Sequence, residues 1–308
     1  MSVFGAVEAG GTKFVCGVGT GPDDLITASF PTTSPEATVE AIGRFFERQA
    51  GAELAAMGIG SFGPVDLDPG SATFGYITST PKLEWQQYDL AGEVGRMLGV
   101  PVGFDTDVNA AALGEARWGA GRGISDFLYL TVGTGIGGGA MAHGKLLHGL
   151  VHPEMGHIPI PHDRAADPYR GGCPYHGDCL EGLASGPAME ARWGMPAQEL
   201  PAGHPGWALE AHYLALGLAT WVCTLSPRRI ILGGGVMQQP ALFPLVRREL
   251  AHTLNGYIRA RELSENLDRY VVPPQLGSRS GVLGALVLAE EAHRTSRARI
   301  TANAAAEE

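Results

Sequence analysis

The stretch VFGAVEAGGTKFVCGVG, Val3–Gly19, runs as an apolar segment, breaks at a Gly/Thr turn and resumes as a second segment of apolar and small residues. FLYLTVGTGIGGGAMAHG, Phe127–Gly144, repeats that plan roughly 120 residues later. Each reads as a β-hairpin that opens a domain half. The repetition predicts two duplicated α/β lobes facing each other across a cleft, and 308 residues with 44% apolar content exceed the size at which one core usually splits.

Working outward, helical patterns around Thr38–Gln49, Leu90–Leu98 and NAAALGEARWG alternate with the strand patterns AAMGIGSFGPVDL and VPVGFDTD. Later come a helix over Trp207–Leu225, the strand RRIILGGGVM, a helix over Leu242–Leu254 and the apolar helix SGVLGALVLAEEAHR, after which TANAAAEE is expected to fray. The alternation argues for an α/β class. We assign residues 1–117 to a small lobe, joined by the C-terminal helix at about 285–300, and 118–284 to a large lobe. The apolar run Tyr213–Leu225 is short of the roughly 20 residues of a membrane helix and reads as a core helix.

The formal charge of −10, from 22 basic and 32 acidic residues, and the lack of a basic run argue against nucleic acid and membrane partners. The N-terminus lacks the regions of a signal peptide, so a cytoplasmic location is expected. Cys16 and Cys223 lie in apolar runs and read as packed thiols.

Three Gly-rich turns follow apolar strands: AGGTK (Ala9–Lys13), VGTGIGGG (Val132–Gly139) and LGGGVM (Leu232–Met237). Glycine lets backbone N–H groups approach phosphate oxygens, while Thr12 and Thr134 add hydroxyl donors. Each turn alone could be a tight hairpin; the three together point to a polyphosphate ligand. Gly133, Gly135 and Gly138 fit G-x-G-x-x-G, but the continuation lacks the helix a dinucleotide fingerprint needs, and no P-loop motif is present.

Asp107 ends VPVGFDTD, where a strand gives way to an Ala-rich helix. There it could act as a general base or as the helix N-cap, with Asp105 and Asn109 competing for both roles. In GCPYHGDCLE, Gly172–Glu181, Cys173 and Cys179 could form a disulfide or hold a metal with His176. In a reducing compartment the metal is the better reading, and His157 would complete two N and two S ligands for tetrahedral Zn²⁺, with His152 and His162 as rivals. The long loop His162–Cys179 wants a local staple or a function.

Taken in order, EAGGTK, FGPVDL, TDVNAAALGE, TVGTGIGGG, HPEMGH, CPYHGDCLEG, ASGP and ILGGGVM resemble the ROK family of sugar kinases and sugar-responsive repressors, and within it the bacterial fructokinases. The resemblance covers nearly the whole chain. It implies an actin-like ATPase (ribonuclease H-like) fold of two lobes with an interlobe cleft, ATP and Mg²⁺ as cofactors, structural Zn²⁺, and often a homodimer. By position it implies Asp107 as catalytic base, with Thr106, Glu154, His157 and Glu181 at the sugar. It implies His157, Cys173, His176 and Cys179 as zinc ligands. Gly10, Gly11, Thr12, Lys13, Gly133, Thr134 and Gly135 fall in the phosphate motifs, and Pro187, Gly234 and Gly235 on the adenosine side. Thr106 stands where many members have Asn, and His176 where many have a third cysteine; both departures, with TSTPKLEW at Thr78–Trp85, look like the fructokinase branch. The expected reaction is transfer of a phosphoryl group from MgATP to the 6-hydroxyl of fructose. The family's repressors carry a helix-turn-helix before this core, whereas here the first phosphate motif begins within ten residues of Met1; a catalyst is expected rather than a repressor or a non-catalytic sugar-binding module.

Overall fold

The computed structural model describes residues 2–49 and 54–306. The chain divides into two compact units: one of Met1–Arg122, His148–His152 and Ser278–Glu308, the other of Gly123–Leu147 and Pro153–Gly277.

The first unit contains β1 (Val3–Ala9), β2 (Lys13–Gly19), β3 (Ile26–Pro31), α1 (Pro35–Gln49), β4 (Leu54–Ser61), α2 (Leu90–Leu98), β5 (Val102–Thr106) and α3 (Asp107–Trp118). The second contains β6 (Phe127–Val132), β7 (Ile136–Ala142), β8 (Lys145–Leu146), α4 (Leu180–Ala184), α5 (Gly186–Trp193), α6 (Gly206–Leu225), β9 (Arg229–Gly233), α7 (Leu242–Leu254), α8 (Arg261–Ser264), α9 (Leu267–Tyr270) and β10 (Val271–Val272). The long α10 (Ser280–Ala306) returns to the first unit.

The duplication read from the two hairpins is visible in the sheets. The first is ordered β3-β2-β1-β4-β5, with β1–β2 and β2–β3 antiparallel and β1–β4 and β4–β5 parallel. The second is β8-β7-β6-β9-β10 with the same directions. Each leading hairpin turns through three residues, 10–12 and 133–135. One ribonuclease H-like sheet is thus written twice, which is the actin-like ATPase architecture.

Local chemistry fixes the element ends. The Asp89 carboxylate accepts from Gly92 N at 2.9 Å to start α2, and Gly99, at φ 66°, ends it in the left-handed region. In the second unit α6 is long and apolar enough to cross a membrane by length and composition, yet Trp207, Leu214, Leu218 and Trp221 are buried in the core that also takes in residues of β6, β9 and α7. The core-helix expectation holds there. Cys223, however, is exposed: it lies on the outer face of α6, because apolar composition does not say which face of a helix is turned inward. Strand patterns also stop short, β4 at Ser61 and β9 at Gly233, and the C-terminal helix runs on to Ala306 rather than fraying at Thr301. Four of the six residues from Thr301 to Ala306 are alanine, the strongest helix former, which prolongs the helix.

In the first sheet Gly5 turns towards Phe46 of α1, while Gly17 and Gly58 turn towards α10 on the opposite face. A Cβ at Gly58 would overlap the carbonyl oxygen of Ala285, one at Gly103 that of Leu288, one at Gly114 that of Ser280, and one at Gly284 that of Ala110. The helix therefore packs backbone to backbone on β4, β5 and α3. Gly58→Ala should lower unfolding free energy by roughly 1–3 kcal/mol, the usual cost of overpacking. Gly203→Ala, where nothing lies within 4 Å, should change it by no more than about 0.5 kcal/mol. Urea unfolding midpoints of the two variants check this.

Candidate active site

Register brings the first unit's polar groups together. Across β1, β4 and β5, Glu8 pairs with Gly60 and Gly60 with Asp105. Gly60 offers no side chain, so the start of α3 lies over it: a Cβ there would sit 3.3 Å from Asp107 Cα. Thr106 is the N-cap, its Oγ1 accepting from Asn109 N at 3.1 Å, and Asp107 is the first helical residue. The cap role open to Asp107 in the sequence thus belongs to Thr106. Asp107 Oδ1 accepts from Val108 N at 2.8 Å, which leaves Oδ2 available, and burial pushes the carboxyl up to about 6. Asp105 is the spoken-for neighbour. It is 4% exposed, and its carboxylate accepts from Thr106 N and Asn109 Nδ2, each at 2.7 Å, with His148 Nε2 at 2.9 Å.

Glu8, which sequence reasoning passed over, lies within electrostatic reach of both Asp107 and Lys13. Its carboxyl is pushed up to about 7, first by burial and then by the charge of Asp107. Oε2 is buried without a hydrogen-bond partner among the described residues. Beside it, the Gly10–Thr12 turn is closed by Gly10 N donating to Lys13 O at 3.0 Å, with Thr12 and Lys13 exposed. A Cβ at Gly11 would meet Lys82 Cε at 3.6 Å, so a second lysine lies over the turn. Lys82 is held there because the neighbouring Trp85 is buried, packs 5.4 Å from Phe14 and donates Nε1–H to Thr33 O at 2.9 Å.

In the second unit the β6–β7 turn meets Glu181 at the start of α4. Ile136 N donates to Glu181 Oε2 at 2.9 Å, and any side chain at Gly135 would crowd that oxygen. Gly186 N donates to Gly133 O at 2.7 Å, which sets Pro187 and the first turn of α5 against Gly133. Gly234, at φ 96°, lets the turn after β9 press on the backbone of Val132, and Gly235 N lies 3.9 Å from a Cβ built on Gly133. Gly133–Gly135, Pro187 and Gly234–Gly235 are therefore one surface, with the Thr134 hydroxyl exposed on it. Ile136–Ala142 is a strand, which removes the dinucleotide fingerprint.

His157 joins two chemistries. Its Nε2 faces Glu181 Oε1 at 3.8 Å, while its Nδ1 faces the cysteine cluster. It shares a single turn with Glu154, whose carbonyl accepts from His157 N at 3.1 Å and whose side chain is exposed. One ligand atom from each of His157, Cys173, His176 and Cys179 lies within 4.8 Å of the others. Cys173 Sγ is 3.6 Å from Nδ1 of both histidines, and Cys179 Sγ 3.8 Å from His157 Nδ1. Zn–S of about 2.3 Å and Zn–N of about 2.1 Å at the tetrahedral angle give an S···N edge of about 3.6 Å, so the donor set fits zinc. All four cysteines are free thiols in this structure, and Cys173 and Cys179 both face His157 Nδ1. The rival histidines are occupied: His152 Nε2 accepts from Val65 N at 3.0 Å, and His162 is held by Asp167 O and Asp178.

The loop His162–Cys179 has a second fastening that the sequence did not announce. Asp167, 3% exposed, accepts from Tyr213 Oη of α6 at 2.6 Å and from Arg192 Nε of α5 at 3.2 Å. Those partners lie 46 and 25 residues away in the chain, so no local pattern could have shown it.

Comparison with known proteins gives the family. The chain is 50% identical to a relative from Bacillus subtilis (strain 168) over 94% of its own length and 96% of the other's. It is 43% identical to a fructokinase of Zymomonas mobilis over 93% and 96%. A ROK family glucokinase from Streptomyces griseus, solved with glucose and AMPPNP, superposes with a TM-score of 0.75 at 28% identity, over 94% of this chain and all of that one. The ROK family profile matches residues 4–292. With the duplicated sheets, the three glycine turns and that match in hand, the chain belongs to the ROK family.

Proposed function

We propose that the protein is a fructokinase that transfers the γ-phosphoryl group of ATP to the 6-hydroxyl of D-fructose. The observation that carries the reading is Asp107: a carboxylate with one oxygen available, at the head of α3, near the glycine turn that leads into Lys13. Similarity to the Zymomonas mobilis fructokinase at 43% identity, against 28% for the glucokinase, selects the hexose.

Asp107 Oδ2 takes the proton of the 6-hydroxyl as its oxygen attacks in line. Thr106 Oγ1 accepts from Asn109 N, so its own proton is free for a sugar hydroxyl. Glu181 has one oxygen fixed by Ile136 N and the other beside His157, an arrangement suited to orienting a polyol. Lys13 and Lys82 supply positive charge at the Gly10–Thr12 turn, and the backbone N–H groups of Gly133–Gly135 offer donors to phosphate oxygens. Pro187, Gly234 and Gly235 form the surface for the adenosine side. Mg²⁺ bound with the nucleotide would neutralise phosphate charge, and the unpartnered Oε2 of Glu8, a hard-oxygen donor beside Asp107, would be suited to hold it. Zinc, held by His157, Cys173, His176 and Cys179, would be structural, since four protein ligands leave no open position. Four free thiols agree with a cytoplasmic setting.

The deciding experiment is a coupled ADP-release assay across fructose, glucose, mannose and N-acetylmannosamine: fructose should give the highest kcat/KM, and a preference for another hexose rejects the assignment. Asp107→Asn should keep ATP and sugar binding while kcat falls by roughly 10² or more. Turnover of the wild type should decline as pH drops through about 6, where Asp107 takes up its proton. The same shift has a stability sign. A carboxyl whose folded pKa lies above its unfolded value stabilises fully at low pH, and that contribution is lost as pH rises through about 6. The ligand-free Asp107→Asn variant should therefore be more stable than wild type at pH 8, by on the order of 1–3 kcal/mol, with the gap closing towards pH 4; a helix cap would give a loss instead. Elemental analysis should find about one zinc per chain. Cys179→Ser should lower the melting temperature and raise the KM for fructose more than that for ATP.

A further inference from the structure

Residues 148–152 belong to the first unit, although the chain on both sides of them belongs to the second. The segment is held at its ends by histidines: His148 Nε2 lies 2.9 Å from Asp105 Oδ2, and His152 Nε2 accepts from Val65 N at 3.0 Å. Between them Leu150 and Val151 are exposed, so the apolar middle provides no anchorage.

Asp105 is where this segment meets the junction of β5 and α3. Its Oδ1 accepts from Thr106 N and Asn109 Nδ2, and Thr106 in turn caps Asn109 N, so a closed ring of hydrogen bonds surrounds the residue that precedes Val108. Oδ2 looks the other way, to His148, whose side chain is 41% exposed while that of Asp105 is 6% exposed. A buried carboxylate oxygen that loses its donor bears the full desolvation penalty, and the group turns or recruits solvent. Either response loosens the bonds that Oδ1 makes to Thr106 and Asn109. A base that must meet a hydroxyl in line is sensitive to such loosening.

We propose that His148 is a positioning residue for phosphoryl transfer: by donating Nε2–H to Asp105 Oδ2 it locks the Asp105–Asn109 turn and so aims Asp107. This rests on the reading of Asp107 as the base. His148 touches no substrate in this role; it acts through Asp105.

His148 is partly exposed, so its replacement should leave the fold intact. His148→Ala should lower kcat roughly 10-fold to 10²-fold, with the KM for ATP unchanged and the melting temperature little altered. His148→Gln, whose amide N–H can still donate to Asp105, should restore most of the rate. In the background of Asp105→Asn, adding His148→Ala should cost nothing further. A wild-type kcat for His148→Ala, or a loss that Gln does not rescue and that follows the melting temperature, overturns the proposal. Asp107→Asn measured alongside separates the two claims. If it keeps full turnover, the base reading falls and this inference with it. If it is inactive while His148→Ala is normal, only this inference falls.

Discussion

The backbone of α10 lies so close to β4, β5 and α3 that only glycine fits at four of the contacts, and the chemistry of the first unit depends on that closeness. A helix normally stands off a sheet by the depth of two layers of side chains. Here Gly58, Gly103, Gly114 and Gly284 remove one layer. The helix start is thereby brought down onto Glu8, whose carboxyl receives a hydrogen bond from the backbone of Val282 and whose side chain contacts the position of Gly281. Glu8 is buried by the same packing that fixes Asp107 through α3, so the raised proton affinities of these two carboxyls are consequences of a steric fit made elsewhere. Core packing and acid–base character are one design in this unit.

The second unit solves a different problem, that of holding a long irregular loop in a defined shape. Two fastenings share the work. A buried Asp167, bonded to Tyr213 and Arg192, ties the middle of the loop to α5 and α6, and the His157–Cys173–His176–Cys179 tetrad gathers its end. His157 turns its other nitrogen to Glu181, so the loop's closure and the orientation of a polar side chain near the β6–β7 turn are mechanically one thing. Histidines at metal sites commonly pass their second nitrogen to a carboxylate, which fixes ring and tautomer together.

Much of this was legible in the chain because its signals are local. α2 and α7 span the residues over which the sequence pattern places them, and the two hairpins betray the duplicated sheets through three-residue Gly/Thr turns. The His/Cys tetrad was visible because three of its members fall within seven positions. What escaped has a common cause, distance along the chain. Glu8 looks like any residue of an opening strand until α3 arrives beside it, about 100 residues later. Asp105 and His148 are 43 apart, and neither carries a motif that names the other. The edge strand β3 was missed for another reason: nearly every residue in it is exposed, so it shows no alternation. α4 is five residues long, too short to display a helical period. Cys223 shows the converse error, an apolar neighbourhood in sequence that turned out to be a helix's outer face.

The order of elements along the chain also bears on how the protein is made. α10 begins roughly 160 residues after Arg122, once the whole of the second unit has been synthesised. At a translation rate of about 5–20 residues per second, the first sheet waits on the order of 10–30 s on the ribosome with its α10 face uncovered. The bare surface is the glycine-lined face of β4 and β5, whose small residues leave little apolar side chain for a stray partner to grip. The second unit, contiguous but for a five-residue excursion, can close during that interval. The half that carries Asp107 is therefore completed last, and a nascent or truncated chain lacking α10 holds an assembled second unit beside a first unit whose Glu8 and Asp107 are not yet packed.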